Sequence, residues 1–393
     1  MESLFELYFK LLKTTNMSFQ RSMMDKIQWN HRLIGITGAR GVGKTTLLLQ
    51  YLRKRLDKDR NSSLCVSLDH IWFSKNTLLD LADQFSKSGG KVLVLDEVHK
   101  YANWSREIKN IYDFYPELQI VFTGSSLLEI LNSAADLSRR AVLYSLRGLS
   151  FREFLNYDQG CDLPIYSLDT ILNQYQEIAD EIVSKVKPLQ YWNDYLNHGY
   201  YPFYKEFGEL YHQQILAVVN LILEVELPLL RKVDVAYIPK IKQLLAIIAD
   251  LVPFTPNISK LSEKIGINRA TLLTYLHFLE ESGLIYGLHQ NNEGISLLQK
   301  PEKIYLNNPN LAFALGTNVD IGNIRETFFL NQVSVNHKLN LPHNSDFQID
   351  KNWIIEVGGK NKKSNPTCDY YAIDQIETGI HNKIPLWLFG FLY

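Results

Sequence analysis

The chain has 393 residues, 46% hydrophobic and 12% aromatic, and its 41 basic and 42 acidic side chains leave a net charge of −1. That length is more than one core can serve and implies two or three ordered domains. The charge balance excludes a global basic field for nucleic acid, so any such binding has to come from a local patch. Three scattered cysteines (Cys65, Cys161, Cys368) give neither a disulfide framework nor metal-ligand spacing, which points to a reducing cytoplasmic setting.

Met1–Asn30 reads mostly as helix, with an apolar stripe at Leu4, Tyr8, Leu11 and Leu12. Its early charges (Glu2, Glu6, Lys10) exclude a signal peptide. From Leu33 onward strand and helix alternate. Strands are predicted at Leu33–Thr37, Leu64–Leu68, Val92–Leu95, Leu118–Phe122 and Val142–Leu146. Helices are predicted at Thr45–Leu56, Lys75–Lys87, Trp104–Phe114 and Leu127–Ala134. Such alternation implies an α/β fold, a parallel sheet with helices on both faces, and a ligand at the carboxyl ends of the strands.

Between the first strand and the first helix of this series runs G-A-R-G-V-G-K-T-T, from Gly38 to Thr46. This is a complete G-x-x-x-x-G-K-[ST] phosphate loop in its required setting. Gly38, Gly41 and Gly43 let the backbone turn tightly, so that N–H groups from Gly38 through Ala39, Arg40, Gly41, Val42, Gly43, Lys44, Thr45 and Thr46 can face phosphate oxygens. Lys44 is assigned to the β- and γ-phosphates of ATP, and Thr45 to Mg2+. The dipole of the following helix favours the same anion.

The strand V-L-V-L ends in Asp96 and Glu97. Asp96 is expected to hold Mg2+ opposite Thr45, and Glu97 to orient and deprotonate the attacking water. Alone, the pair also reads as a core strand ending in solvated carboxylates. The phosphate loop ahead of it decides for ATP hydrolysis.

Thr123-Gly124-Ser125-Ser126 follows the fourth strand. Thr123 and Ser125 are candidates to sense the γ-phosphate or the attacking water; a turn capping the next helix is the plain alternative. Arg139 and Arg140 precede the fifth strand. Arg140 is the candidate to stabilise transition-state charge, on its own nucleotide or a neighbouring subunit's, against a surface ion pair as the bland reading.

Leu163–Asp250 is largely helical by period, with Tyr191, Trp192 and Tyr195 filling a core. The apolar stretch Ile215–Leu230 carries Glu224 and Glu226 and reads as a bundle core helix, not a membrane span. A break at Val252-Pro253-Phe254-Thr255-Pro256-Asn257 marks a boundary. Beyond it, Ile258–Ile265, a Gly266-Ile267-Asn268 turn and Arg269–Ser282 form a helix-turn-helix. Leu284–His289 and Ile295–Leu298 supply a wing. A DNA-reading face would present Arg269, Thr271, Thr274 and His277, but nearby acidic residues offset the lysines, and a structural role is preferred.

Several segments resemble one family. Val92–Tyr101 (V-L-V-L-D-E-V-H-K-Y), Phe122–Ser126 (F-T-G-S-S), Ser138–Arg140 (S-R-R) and Leu149–Leu155 (L-S-F-R-E-F-L) are similar to prokaryotic AAA+-type ATPases of the archaeal-ATPase and STAND neighbourhood. The resemblance implies a C-terminal winged helix followed by a restriction-endonuclease-like domain. By it, Arg140 matches the family's arginine before the fifth strand. Likewise His198-Gly199-Tyr200-Tyr201-Pro202 resembles a G-G-[FY]-P lid turn that packs near the nucleotide, with Tyr200 in place of the second glycine. Arg325–Gln332, Asn344–Asp350 and Trp353–Lys363 resemble the PD-(D/E)xK nuclease core, with Glu326 on a helix and Asp346 and Glu356 on strands. Two such carboxylates can hold a divalent metal, and a lysine two residues on would assist the nucleophile. Gly358 stands there, and Lys360 follows two residues later. A degenerate nuclease fold is therefore preferred, with Lys360, Lys362 and Lys363 a possible phosphate contact. The apolar close, Ile384–Tyr393, is expected to be a final core strand.

The expected organisation is a P-loop ATPase domain over 1–150, including an N-terminal helical segment over 1–30. A helical lid over 151–250, a winged helix over 251–306 and a small α/β nuclease-like domain over 307–393 follow. The expected function is Mg2+-dependent ATP hydrolysis coupled to the C-terminal modules, with no membrane and with homo-oligomerisation open. A slow ATP-dependent switch or DNA-binding regulator, and an ATP-gated metal-dependent nuclease, are the alternatives.

Overall fold

The structure is a computed structural model that describes residues 1–55, 61–124, 137, 139–289, 300–316, 319–363 and 365–393. Its contacts divide the chain into two compact units, Met1–Gly148 and Leu149–Tyr393.

The first unit is built on five parallel strands: β1 (Leu33–Thr37), β2 (Ser63–Ser67), β3 (Val92–Asp96), β4 (Gln119–Thr123) and β5 (Val142–Ser145). They lie side by side in the order β2-β3-β4-β1-β5. Every residue of β1 and β3 is buried, which explains their unbroken apolar runs, since helices cover both faces of such a sheet. Because β4 lies between β1 and β3, Thr123 stands level with Ile36 on one side, while its neighbour Phe122 pairs with Leu95 on the other. The ends of all three strands therefore converge.

Helix α1 (Glu2–Thr14) buries Leu4, Tyr8 and Leu12, one face at a spacing of four, and the Tyr8 hydroxyl meets Ser63 Oγ at 2.8 Å. Leu11, expected in that stripe, is nearly half exposed instead, because it lies off this i, i+4 line. After the short α2 (Met23–Lys26) and β1, α3 (Lys44–Arg55) starts inside the phosphate loop. Helix α4 (Leu78–Lys87) starts at a capping box made by Thr77 and Asp80, so it begins three residues later than periodicity suggests. Helix α5 (Trp104–Phe114) buries Trp104, Ile108 and Ile111 on its inner face. The helix expected at Leu127–Ala134 lies outside the described residues.

The second unit starts with a buried capping box at Ser150 and Glu153, which opens the helix Phe151–Gln159. Trp192 and Tyr195 are buried as expected; Tyr191 is only half-buried and bonds Gln159 through its hydroxyl, 3.0 Å away. Tyr200 and Tyr201 are also buried, and the Tyr200 N–H donates to Asn310 Oδ1 at 2.8 Å. The helix-turn-helix is present as Ile258–Ile265 and Arg269–Glu281. Gly266 takes the left-handed cap (φ 71°) and Asn268 caps the second helix through Thr271 N–H, which is what the G-I-N turn encodes. β6 (Ile285–Leu288) pairs antiparallel with β7 (Lys303–Leu306). The expected wing strand Ile295–Leu298 lies outside the described residues.

A second sheet contains β8 (Leu339–Asn340), β9 (Phe347–Ile349), β10 (Trp353–Gly358), β11 (Tyr370–Ile373) and β12 (Lys383–Pro385), in spatial order β12-β11-β10-β9-β8. β9 runs antiparallel to β8 and β10, while β10, β11 and β12 are parallel. The apolar C-terminus is not a long strand. After Pro385 it turns into 3-10 helix, Leu386–Phe391, all of it buried. The stretch expected to be a bundle core helix buries Ile215, Val219, Ile222, Leu223 and Leu227 along one face. Tyr204–Arg231 has a mean hydropathy of 1.5 in its most apolar window, only a third of which is buried, and Leu210 and Leu229 are exposed. Its length and apolar composition would also suit a membrane span, but a helix that buries one face in a protein core has the same length and composition.

Candidate nucleotide site

The phosphate loop leaves β1 with three glycines at positive φ: Gly38 at 149°, Gly41 at 84° and Gly43 at 94°. At Gly38 a Cβ would stand 2.2 Å from the Leu146 carbonyl oxygen, so no other residue fits there. Lys44 Nζ donates to the loop's own carbonyls, Gly38 O at 2.8 Å and Ala39 O at 2.9 Å, and is thereby held against the loop. Lys44 is nearly fully buried.

Asp96 is gripped from two sides. Thr45 Oγ1 donates to Asp96 Oδ2 at 2.6 Å, and Thr123 Oγ1 donates to Asp96 Oδ1. Thr123, fully buried, also accepts the Glu97 N–H at 3.2 Å. Its hydroxyl thus aligns the two carboxylate residues rather than standing free as a sensor. Glu97 itself has φ 52° and ψ 46°, a left-handed conformation that costs a non-glycine residue about 1–3 kcal/mol. Anchoring of Asp96 and of the Glu97 amide holds it there. The Glu97 carboxylate meets the Arg40 guanidinium of the loop at 3.6 Å.

Hard oxygen donors suit Mg2+, which takes one or two carboxylates and leaves its other positions to phosphate and water. The touching Thr45 hydroxyl and Asp96 carboxylate match that demand. Among the described residues no group of three His, Cys, Asp or Glu side chains is placed to hold a metal ion.

Two expectations are placed elsewhere. Ser125 lies outside the described residues. Arg140 sits just before β5, near the amino-terminal ends of the strands, where Nε and Nη2 bond Asp113 of α5 at 3.0 and 3.1 Å. The reason is topological: Val142 is level with Ile34, four residues or about 13 Å of strand before Gly38. Arg140 is therefore not brought to this chain's own phosphate loop, and the ion pair is what the structure shows.

Sequence reasoning missed Arg21. Buried between α1 and α2, it donates to Val42 O in the phosphate loop at 2.7 Å, and to Arg147 O and Gly148 O at 2.7 and 2.8 Å. These partners are backbone carbonyls, which leave no residue-type trace in a sequence. His99, three residues beyond Asp96, was also passed over. Burial, and then the charges of Lys100, Arg40 and Lys44, push its pKa down to about 4.

In the second unit, Phe347 pairs with Ile355, which sets Asp346 opposite Glu356. Lys362, not Lys360, joins them: its Nζ lies 2.6 Å from Glu356 Oε2 and 3.4 Å from Asp346 Oδ2. The turn closed by Lys362 N–H to Gly359 O folds that side chain across Gly358, where a Cβ would stand 2.6 Å from Lys362 Cδ. Lys360 is exposed. Burial opposes ionisation of Glu356, but hydrogen bonds from Lys362 and Asn365 outweigh it and lower its pKa. Glu326 is drawn instead to Lys303 Nζ at 2.7 Å and Tyr305 Oη at 3.0 Å. Burial, helped by Asp346, raises its pKa. On the second helix of the helix-turn-helix Arg269 is exposed, but Thr271 and Thr274 are half-buried and His277 leans on Glu281 at 3.4 Å.

Residues 30–155 match the family model described as an AAA domain. That span holds the strand order, the loop and the paired carboxylates of a P-loop α/β fold. Residues 189–322 match a second family model, described as a domain of unknown function. An uncharacterized protein of Methanocaldococcus jannaschii is 27% identical over 311 residues, 76% of this chain; the match spans 65% of that protein's length. Similar solved structures include ORC1 of Aeropyrum pernix in complex with DNA, at 11% identity and TM-score 0.32 over 78% of this chain and 89% of that one. DnaA of Aquifex aeolicus bound to AMPPCP gives 16% and 0.27 over 70% and 87%. PCH-2 of C. elegans gives 19% and 0.24, and only 47% and 46% of the two chains are covered. Scores this low carry no inference about this chain.

Proposed function

We propose that the first unit hydrolyses ATP with Mg2+ and that the event drives a conformational change in the second unit. The observation that carries the reading is the hydrogen-bonded chain Thr45–Asp96–Thr123–Glu97, which ties the end of the phosphate loop to the Asp96 carboxylate and the Glu97 backbone amide. Lys44 and the loop N–H groups bind the triphosphate, and Glu97 accepts a proton from the attacking water. Thr45 and Asp96 would hold Mg2+, which when bound offsets phosphate charge and polarises the phosphoryl group. Support for coupling comes from Arg21, which links loop residue Val42 to Arg147 and Gly148, where the chain leaves the first unit. Glu97→Gln is expected to lower turnover by about 10²-fold or more while ATP still binds, since a positioned base contributes that much. Equal turnover in the variant and wild type would sink the reading, whereas equally negligible turnover with ATP bound in both favours a slow switch.

A second reading is an ATP-gated, metal-dependent nuclease in the second unit. It is favoured by Asp346 and Glu356 standing opposite each other with the Lys362 ammonium between them. It predicts cleavage of DNA with Mn2+ or Mg2+ and ATP, lost in both Asp346→Ala and Glu356→Ala. No cleavage by the wild-type chain under those conditions removes it.

A further inference from the structure

The contact between Arg40 and Glu97 brings the loop that takes phosphate directly against the group assigned to activate water. Arg40 lies between Gly38 and Gly41, within the turn whose amides face the nucleotide. The charges of Arg40 and Lys44 both bear on buried His99, so the two cations share one electrostatic neighbourhood. Glu97 has little freedom of its own. Its backbone is held left-handed, its amide is bound by Thr123, and its neighbour Asp96 is pinned twice.

We propose that Arg40 is a positioning residue that restrains Glu97 until a γ-phosphate arrives, and that it then exchanges the carboxylate for the phosphate. The inference deepens the ATPase reading and rests on it. The exchange follows from the strength of the two contacts. At 3.6 Å the ion pair with Glu97 is longer than a charge-assisted hydrogen bond, and both side chains are partly exposed, 30% for Arg40 and 21% for Glu97. A terminal phosphate carries more charge and accepts a guanidinium through two oxygens at once, the geometry in which arginine binds most strongly. Only a nucleoside triphosphate offers that phosphate next to Glu97. ADP leaves the pair intact, and the released carboxylate is free for water only when there is something to hydrolyse.

The test is a cycle of Arg40→Ala, Glu97→Gln and the double variant in the full chain, with ATP and ADP affinities measured by titration with fluorescent nucleotides and turnover measured alongside. Arg40→Ala is expected to weaken ATP about tenfold or more and ADP less than about threefold, collapsing the preference for the triphosphate. Glu97→Gln is expected to bind ATP several-fold more tightly than wild type, because the guanidinium no longer has a competing carboxylate. That gain has to disappear in the Arg40→Ala background. A gain that persists there comes from lost repulsion between Glu97 and phosphate and overturns the exchange, as does equal weakening of ATP and ADP by Arg40→Ala. If Glu97→Gln leaves turnover intact, the ATPase assignment of Glu97 fails instead, and the affinities show separately whether Arg40 reads the γ-phosphate.

Discussion

At the scale of single residues, the nucleotide site depends on a few atoms that have no alternative. Gly38 cannot carry a Cβ because the Leu146 carbonyl occupies its place, and Thr123 serves both Asp96 and the Glu97 amide with one hydroxyl. The motif residues were legible in the sequence because phosphate and Mg2+ demand particular residue types at particular spacing. Arg21 and His99 were not, because their roles come from burial and from backbone partners. His99 has a testable consequence. Its pKa of about 4 in the folded chain lies below the ordinary 6.5, so between those values the unfolded chain binds more protons and stability rises with pH. The contribution is fully present above about pH 6.5 and is lost as pH falls toward 4. At pH 5 the loss amounts to about 2 kcal/mol. Denaturant unfolding at pH 7 and pH 5, following the transition that Mg-ATP raises, is expected to show this loss in wild type and a smaller one in His99→Gln.

At the scale of elements, periodicity located the strands because an apolar run buried on both faces has few other uses. The order β2-β3-β4-β1-β5 then brings Gly38, Asp96 and Thr123 together, although the loop and Asp96 are more than fifty residues apart. Spacing failed at the second sheet. It pointed to Lys360, yet the turn after β10 folds Lys362 back over Gly358, so proximity in space selected a residue that distance along the chain did not. The expected effect of Lys362→Met follows from the sign of the Glu356 shift. A depressed carboxylate pKa contributes stability above its unfolded value of 4.5, and that contribution is lost as pH falls through the folded value. Lys362→Met is therefore expected to lower the unfolding midpoint at pH 7, with the gap to wild type narrowing as pH drops below 4.5. A constant gap across that range would assign the lysine to packing alone.

At the scale of the whole molecule, Arg140 is the open connection. Paired with Asp113 near the amino-terminal end of the strands, while the phosphate loop leaves their carboxyl ends, it is not placed at its own nucleotide. A catalytic role would have to be in trans. In that case specific activity rises with protein concentration, light scattering with ATP detects assembly over the same range, and Arg140→Ala lowers turnover only in that range. Activity independent of concentration, with Arg140→Ala unchanged, leaves the ion pair as its whole role.

By itself the sequence determined the α/β character of the first unit, its phosphate loop and the Asp96–Glu97 pair, and the helix-turn-helix of the second. Each rests on local chemistry: a periodicity, a capping residue, a glycine that must turn, a carboxylate at the end of a strand. Only the tertiary structure decided which lysine joins Asp346 and Glu356, where Arg140 lies, what Arg21 holds, and that Arg40 meets Glu97. Those are meetings of side chains from separate elements. They depend on strand order, register and the path of turns, which no single stretch of residues encodes.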